Sequence, residues 1–281
     1  MLLLIVVFIL PLFYPSGIAI YFRLFLLFLV LIESLKLFKI VFIDKKVSNI
    51  TTNAATILFS VFIIFLLLEA IFMFIPRSHT FDFTLGSKIW FSKYWKPINS
   101  LGFRDNEPSG NNPVILFVGN SFTAGHGLKY VDDRFSNIVG NELRKKGEKY
   151  TIINIGVNGL HPRGEYDLMR NFLYMTRIKP EKIIFQYSGN DIDEVAMNNG
   201  LRFSIPLPPD RLLMAIVSGS YLFNYIYWSF PREYISVAYT TFLTEAYKKK
   251  TLLSKQRTDL ELFVDYANEN FIQLVVVVFP F

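Results

Sequence analysis

The chain has no cysteine and only three histidines, and both shortages narrow the chemistry available to it. Without cysteine there is no disulfide, no thiolate nucleophile and no thiolate metal ligand. The histidines, His79, His126 and His161, have no metal-ligand spacing with one another or with a carboxylate, so we predict no metal and no cofactor. The net charge is +6, but arginine and lysine form no stripe interleaved with aromatic residues, so nucleic acid is not an expected partner.

Apolar residues are in excess, because they make up 52% of the chain and include 29 phenylalanines. Ala54–Ile75 has Glu69 as its only charge and is long enough to cross a hydrocarbon core, which takes about 20 residues. Met1–Phe22 has no charged side chain and precedes a second apolar run, Leu24–Ile32. Prolines in the first run leave open whether it forms one span or a hairpin. We therefore predict that residues 1–75 form a transmembrane region of two or three helices.

The charges between these apolar segments predict an orientation. The connecting stretch contains one aspartate, Asp44, and four lysines: Lys36, Lys39, Lys45 and Lys46. Short lysine-rich loops are retained in the cytoplasm. We therefore expect a membrane protein whose chain after Ile75 lies on the extracytoplasmic side.

Residues 76–113 are predicted to be a linker and lead-in segment, and residues 114–281 alternate between strand and helix patterns. Four short apolar runs predict strands: Val114–Val118, Thr151–Ile155, Lys182–Tyr187 and Ile272–Phe279. Apolar residues at helical spacing separate these runs. The pattern predicts an α/β fold with a doubly wound parallel sheet, preceded by the N-terminal transmembrane helices. An insertion, Ala196–Lys250, precedes the fourth strand, and within it Arg211–Phe230 is predicted to form a buried or lid-like helix.

Small and polar residues follow each of the first three predicted strands. These segments are Gly119-Asn120-Ser121, then Asn154-Ile155-Gly156-Val157-Asn158-Gly159, then Ser188-Gly189-Asn190-Asp191. In an open parallel sheet, ligands bind beyond the carboxyl ends of the strands. A serine on a glycine-flanked turn from strand to helix is exposed near a helix N-terminus, which suits a nucleophile. Gly159 allows its backbone N–H to approach a ligand closely, and Asn190 offers a neutral amide donor.

These three segments resemble the first three signature blocks of the SGNH (GDSL-like) hydrolases, which are Gly-Asp-Ser, a glycine, and Gly-x-Asn-Asp. Here they stand as Gly119-Asn120-Ser121, Gly159 and Gly189-Asn190-Asp191, the last without the intervening residue. The stretch Ile98–Asp105 also resembles the segment that precedes the nucleophile strand in many members. The resemblance covers about residues 98–280 and implies the flavodoxin-like sheet of that family.

The resemblance implies a role for each matching residue. Ser121 would attack an ester carbonyl, and the Ser121 N–H, the Gly159 N–H and the Asn190 side chain would hold the oxyanion. Asn120 stands where the family has aspartate, a structural hydrogen-bonding residue, so this departure weakens the match without removing the chemistry.

One family motif is missing from this sequence. Members carry Asp-x-x-His after the last strand, whereas this chain has no histidine beyond His161 and ends at Phe281. We therefore expect a C-terminally truncated fragment, with a short pseudoenzyme as the alternative. His126 and His161 follow predicted strand ends, and either is an alternative base.

Resemblance and expected topology together predict a serine-dependent ester hydrolase. Its substrate would be an acylated, most simply O-acetylated, envelope glycan or lipid, processed through an acyl-Ser121 intermediate. Two alternatives remain open. One is an O-acyltransferase of the same fold, supplied by an acyl-donor partner in the membrane, and the other is a non-catalytic envelope binding protein.

Overall fold

The computed structural model describes residues 45–78, 84–108, 112–205, 207–230 and 232–279. The predicted spans Met1–Phe22 and Leu24–Ile32 and the histidine His79 lie outside these residues. The described residues fall into two compact units. Among these residues, the first unit contains 45–75, Thr84–Gly86 and Pro208–Tyr227, and the second unit contains the rest.

The second unit is built on four parallel strands. They are β1 (Val114–Val118), β2 (Thr151–Asn154), β3 (Lys182–Ser188) and β4 (Gln273–Phe279). Their order across the sheet is β2-β1-β3-β4, and all three pairings are parallel. The predicted parallel α/β sheet is therefore confirmed, with strand ends that differ from the prediction by about one residue, as hydrogen-bond criteria commonly do.

Helices connect these strands and extend over both units. In chain order they are α1 (Lys45–Phe72), α2 (Leu85–Tyr94), α3 (Ser121–Ala124), α4 (Phe135–Lys145), α5 (Pro162–Thr176), α6 (Asp193–Asn198), α7 (Arg211–Gly219), α8 (Tyr221–Tyr227), α9 (Arg232–Lys248) and α10 (Lys250–Glu269). A single turn of 3-10 helix, Val131–Asp133, precedes α4.

The core of the second unit forms around β1, which has a neighbouring strand on each side. Its residues Ile115–Val118 are at most 3% exposed, as expected for a strand covered on both faces. On one face of the adjacent β3, the ring of Phe185 stacks on Phe263 of α10 with centroids 4.1 Å apart. Each buried side chain of this size contributes about 1.5–3 kcal/mol, so the packing holds the carboxyl ends of the strands in register.

The predicted helix at Arg211–Phe230 is two short helices, α7 and α8, which belong to the first unit with α1. Helical structure is interrupted between them at Ser220. The Ser220 hydroxyl and the backbone N–H groups of Tyr221 and Leu222 donate to the Glu69 carboxylate of α1. The segment is not uniformly buried, since Leu212 is 72% exposed.

The prediction of a transmembrane helix at Ala54–Ile75 is not confirmed. Within the part of the chain that the structure describes, no helix combines the length and the apolar character that a membrane crossing requires.

Candidate active site

Ser121 lies at the start of the short helix α3, directly beyond the end of β1. Asn120 caps this helix, because its side-chain oxygen accepts a hydrogen bond from Phe122 N at 3.0 Å. The left-handed Gly125 (φ 74°) ends the helix after one turn. The turn therefore presents Ser121, which is partly exposed, at the carboxyl edge of the sheet while its neighbours Asn120 and Thr123 are buried.

The Asn120 side chain joins this first loop to the loop after β3. Its amide nitrogen donates to Ser188 Oγ and to Asp191 Oδ1, both at 2.7 Å. Ser188 Oγ in turn donates to Asn190 Oδ1 at 2.6 Å. Because the Asn190 oxygen accepts this bond, its NH2 group supplies the donors of the amide, and it also hydrogen-bonds to the Tyr239 hydroxyl. Asn120, the residue before Ser121, and Asn190 thus belong to one hydrogen-bonded network.

Asp191 explains why residue 120 carries an amide. The Asp191 carboxylate is fully buried and accepts hydrogen bonds from Ser188 N and Asn120 Nδ2. Burial raises the pKa of Asp191 to about 6, although these two hydrogen bonds and nearby His161 act to lower it. An aspartate at position 120 would bring a second carboxylate against the first, whereas asparagine supplies a donor. The departure from Gly-Asp-Ser is therefore matched to its surroundings.

The loop after β2 lies against the nucleophile turn. Val157 N donates to Gly119 O at 3.1 Å, and Asn154 Nδ2 donates to Thr123 O at 2.8 Å. Gly156 is required by close approach, because a Cβ there would lie 2.4 Å from the backbone nitrogen of Ala124. The second and first loops are therefore in direct backbone contact.

Gly159 lies further along the same loop and has a different reason to be glycine. Its φ of +75° is in the left-handed region, and a Cβ would meet no atom within 4 Å. Within the described residues, neither Gly159 N–H nor Ser121 N–H donates to a backbone oxygen. Both N–H groups therefore remain as potential donors to a ligand oxyanion.

Arg104 in the lead-in segment binds the chain that follows the nucleophile turn, a role that the sequence pattern did not indicate. The buried Arg104 guanidinium donates to the carbonyl oxygens of Gly125 at 2.5 Å and Leu128 at 2.7 Å, immediately after α3. It also lies over the rings of Trp90 and Trp95, at 5.7 and 4.9 Å. Burial, and then Arg134, lower the pKa of Arg104 to about 10. Arg104 remains a cation at neutral pH and fixes the segment that follows the nucleophile turn.

A buried ion pair between Arg134 and Asp105 reinforces this arrangement. Arg134 Nη2 donates to Asp105 Oδ1 at 2.7 Å, and the other Asp105 oxygen accepts from Asn154 N at 3.1 Å. The lead-in segment therefore contacts both the nucleophile loop and the second strand. The only sequence signal for these contacts was the adjacent Arg104-Asp105 pair within the resemblance.

The two described histidines have different surroundings. The His126 ring packs against Trp90 and Phe91, each with centroids 5.1 Å apart, and its Nδ1 is 3.4 Å from Asn158 Nδ2. His161 Nδ1 lies 3.1 Å from Asp193 Oδ1. The structure therefore places a carboxylate beside His161, as at a histidine base, but within the described residues neither of these two atoms forms a hydrogen bond.

Glu165 is a buried carboxyl that the sequence pattern did not single out. It lies in the first turn of α5, is fully buried, and neither of its oxygens has a hydrogen-bond partner among the described residues. Burial, and then the charge of Asp191, raise the pKa of Glu165 well above its ordinary value. Burial therefore favours the neutral form of Glu165 beside the Asp191 network. In the described part of the chain, no group of three or more histidine and carboxylate side chains is placed to hold a metal ion.

Comparison with known proteins gives the following. No protein-family model and no curated protein matches the chain. Solved structures similar to it include AlinE4, an SGNH-hydrolase family esterase (TM-score 0.31, 20% identity, 59% of this chain and 77% of that one). Others are TesA (0.26, 16%, 56% and 99%) and the psychrotrophic esterase EstA from Pseudoalteromonas sp. (0.29, 12%, 59% and 78%). AlinE4 and EstA are described as esterases, but TM-scores this low do not support any conclusion about the function of this chain.

Proposed function

We propose that this protein is a serine-dependent ester hydrolase of the SGNH type that works through an acyl-Ser121 intermediate. The observation that carries the proposal is the hydrogen-bonded chain from Asn120 through Ser188 to Asn190. It joins the strand-to-helix turn that carries Ser121 to an amide donor on the neighbouring loop. This combination is what acyl transfer requires, namely a nucleophile beside preorganised donors.

In the proposed reaction, Ser121 Oγ attacks the ester carbonyl and its proton passes to a base. The tetrahedral oxyanion accepts hydrogen bonds from Ser121 N–H, Gly159 N–H and the Asn190 NH2 group. The alcohol leaves with the transferred proton, and water then hydrolyses the acyl-enzyme. Loss of one such oxyanion donor typically lowers the rate by about 10²–10³.

For the base, we propose His161 as the stronger candidate within the described chain. Its proximity to Asp193 supports this assignment, because a carboxylate orients a histidine base and stabilises its protonated form. Tyr239 Oη donates to the other Asp193 oxygen at 2.6 Å and so fixes the carboxylate. A histidine beyond Phe281, in the Asp-x-x-His motif of SGNH hydrolases, is the alternative.

The substrate and location are also proposals. We propose an acylated, O-acetylated, envelope glycan or lipid as substrate and a location at a membrane with the catalytic unit on the extracytoplasmic side. The lysine-rich stretch before Lys46 and the apolar N-terminal sequence support the location. The exposed ring of Phe122 next to Ser121, 5.9 Å from that of Phe279, offers apolar surface to an acyl group.

An O-acyltransferase is the second candidate, because a sugar hydroxyl can replace water as the acceptor at the same residues. It would need an acyl-donor partner in the membrane. A non-catalytic envelope binding protein is the third, and it is favoured because no histidine among the described residues is hydrogen-bonded to Ser121.

The proposal is tested by labelling the protein, produced from its native locus, with a fluorophosphonate. We expect labelling of the unaltered protein and none of Ser121→Ala. Ser254→Ala, on the exposed surface of α10, is the matched control and should label normally. Equal labelling of Ser121→Ala and the unaltered protein would exclude Ser121 as the nucleophile, and no labelling of either would favour the binding protein.

A further inference from the structure

The first unit has an apolar surface that the ester chemistry does not use. It consists of side chains on α1, α7 and α8 that are 38% to 72% exposed: Ile57, Val61, Ile64, Leu67, Ile71, Leu212, Ile216, Phe223 and Ile226. We call these nine side chains the apolar helix surface. Exposed apolar patches of this kind usually mark an interaction site.

On α1, this surface is a broad face of the helix. At about 100° per residue, the five α1 members from Ile57 to Ile71 span an arc of about 120°. A different face of α1 packs inside the unit, where Phe65 contacts Phe223 with ring centroids 5.8 Å apart and Phe72 contacts Tyr225 at 4.7 Å. The apolar helix surface on α1 is therefore additional to the face that holds the unit together.

The one charge within the apolar stretch of α1 is turned away from this surface. Glu69 is 5% exposed and accepts hydrogen bonds from Ser220 Oγ, from Tyr221 N at 2.9 Å and from Leu222 N at 3.1 Å. A carboxylate in apolar surroundings is costly unless its oxygens are hydrogen-bonded, and here the first turn of α8 supplies the donors. The insertion after β3 thus satisfies the charge that would otherwise interrupt the apolar stretch of α1.

Within Asp210–Tyr227, the part of the insertion that contains α7 and α8, charged residues stand only at the start. Asp210 and Arg211 precede and begin α7 and are exposed, and no charged residue follows before Arg232. The helices α7 and α8 therefore share the character of α1, which is apolar along their length with charge at one end.

We infer that the apolar helix surface docks on the lipid of a bilayer. A protein partner is disfavoured because protein interfaces carry about one hydrogen bond per 100–200 Å² and a polar rim. None of the nine side chains can form a hydrogen bond, and Ser60, an exposed polar residue within the same arc of α1, already donates to Thr56 O of its own helix at 2.9 Å. Acyl chains require no hydrogen bonds and cover a wide apolar arc. The helices α7 and α8 of the insertion then belong to the lipid-contacting unit, and Glu69 of α1 is the residue that binds them. This inference does not depend on the ester chemistry.

The absence of cysteine from the sequence allows a direct test. The two test variants are Leu212→Cys on α7 and Ile64→Cys on α1. The control is Met175→Cys on α5 of the second unit, because Met175 is 78% exposed but lies outside the apolar helix surface. Each full-length variant is labelled with an environment-sensitive fluorophore and reconstituted into phosphatidylcholine vesicles that contain spin-labelled acyl chains. We expect labels at 212 and 64 to lose more than half of their emission, and the label at 175 to lose none.

Three outcomes would overturn the inference. The first is recovery of the protein with the vesicles while the label at 212 keeps its emission, which would place the lipid contact elsewhere. The second is failure of the protein to bind vesicles at all. The third outcome is an emission at 212 that depends on protein concentration and not on spin-labelled lipid, which would assign the surface to a second copy of the chain. Fluorophosphonate labelling of Ser121 is measured separately, so failure of one proposal is distinguishable from failure of the other.

Discussion

Replacing Asn120 by aspartate restores the family's Gly-Asp-Ser sequence, and we predict that it destabilises this protein. Asn120 Nδ2 donates to Asp191 Oδ1 at 2.7 Å, and aspartate has no donor to replace it. Loss of a hydrogen bond to a charged group costs about 1.5–3 kcal/mol. Two ionised carboxylates at this separation would repel by about 6 kcal/mol at an effective dielectric constant of about 20. The pair avoids most of this repulsion by retaining one proton.

The retained proton makes the destabilisation dependent on pH. The folded Asn120→Asp protein must bind a proton that the unfolded carboxyls, with pKa values near 3.9, have released. Because the folded state then binds more protons, the free energy of unfolding falls as pH rises. We expect a loss of about 1–2 kcal/mol at pH 5 and about 3–5 kcal/mol at pH 8.

The assay is urea unfolding at both pH values, followed by tryptophan fluorescence. Asn141→Asp on α4 is the matched control, since Asn141 bonds only to the exposed Arg144, and it should change stability by less than about 0.5 kcal/mol. The double variant Asn120→Asp with Asp191→Asn exchanges amide and carboxylate and should recover much of the stability. The reasoning would be refuted if Asn120→Asp lowered the free energy of unfolding by the same amount at pH 5 and at pH 8.

Two further predictions concern the same loops. Burial raises the pKa of Asp191 to about 6, so ionisation of this group lowers the stability of the unaltered protein as pH rises from about 4 to 6. Asp191→Asn should flatten this part of the stability profile, and an unchanged slope in urea midpoints would contradict the assignment. Gly156→Ala should cost about 1–3 kcal/mol or more, because its Cβ would lie 2.4 Å from Ala124 N. The control Gly219→Ala, a site that like Gly156 has no positive φ but has nothing within 4 Å of its Cβ, should change stability by no more than about 1 kcal/mol, and equal losses would refute the close-contact argument.

Some parts of the fold followed from local pattern. Val114–Val118 is apolar at every position, and this run is a central strand in which Ile115–Val118 are buried. The helices after it end where glycine or proline occurs, near Gly147 and before Pro180. Such patterns are readable because each residue's burial or turn conformation depends mainly on its immediate neighbours in the chain.

Other features required contacts between distant parts of the chain. The bond between Glu69 and the start of α8 joins residues about 150 positions apart, and the sequence alone presented Glu69 as an isolated charge in an apolar run. Arg104 likewise has its role only because the chain after Gly125 turns back onto it. Neither partner is close enough in sequence to produce a periodic signal.

The sequence by itself therefore determined the order of strands and helices and the three loops that carry Ser121, Gly159 and Asn190, because strand ends and turn residues are local properties. Only the tertiary structure showed that the Asn120 amide donates to Asp191 and that the buried Glu165 has no hydrogen-bond partner among the described residues. It also showed that α8 of the insertion binds Glu69 of α1. These depend on which groups meet after the sheet has closed, and the desolvation of a charge exists only once its surroundings have formed.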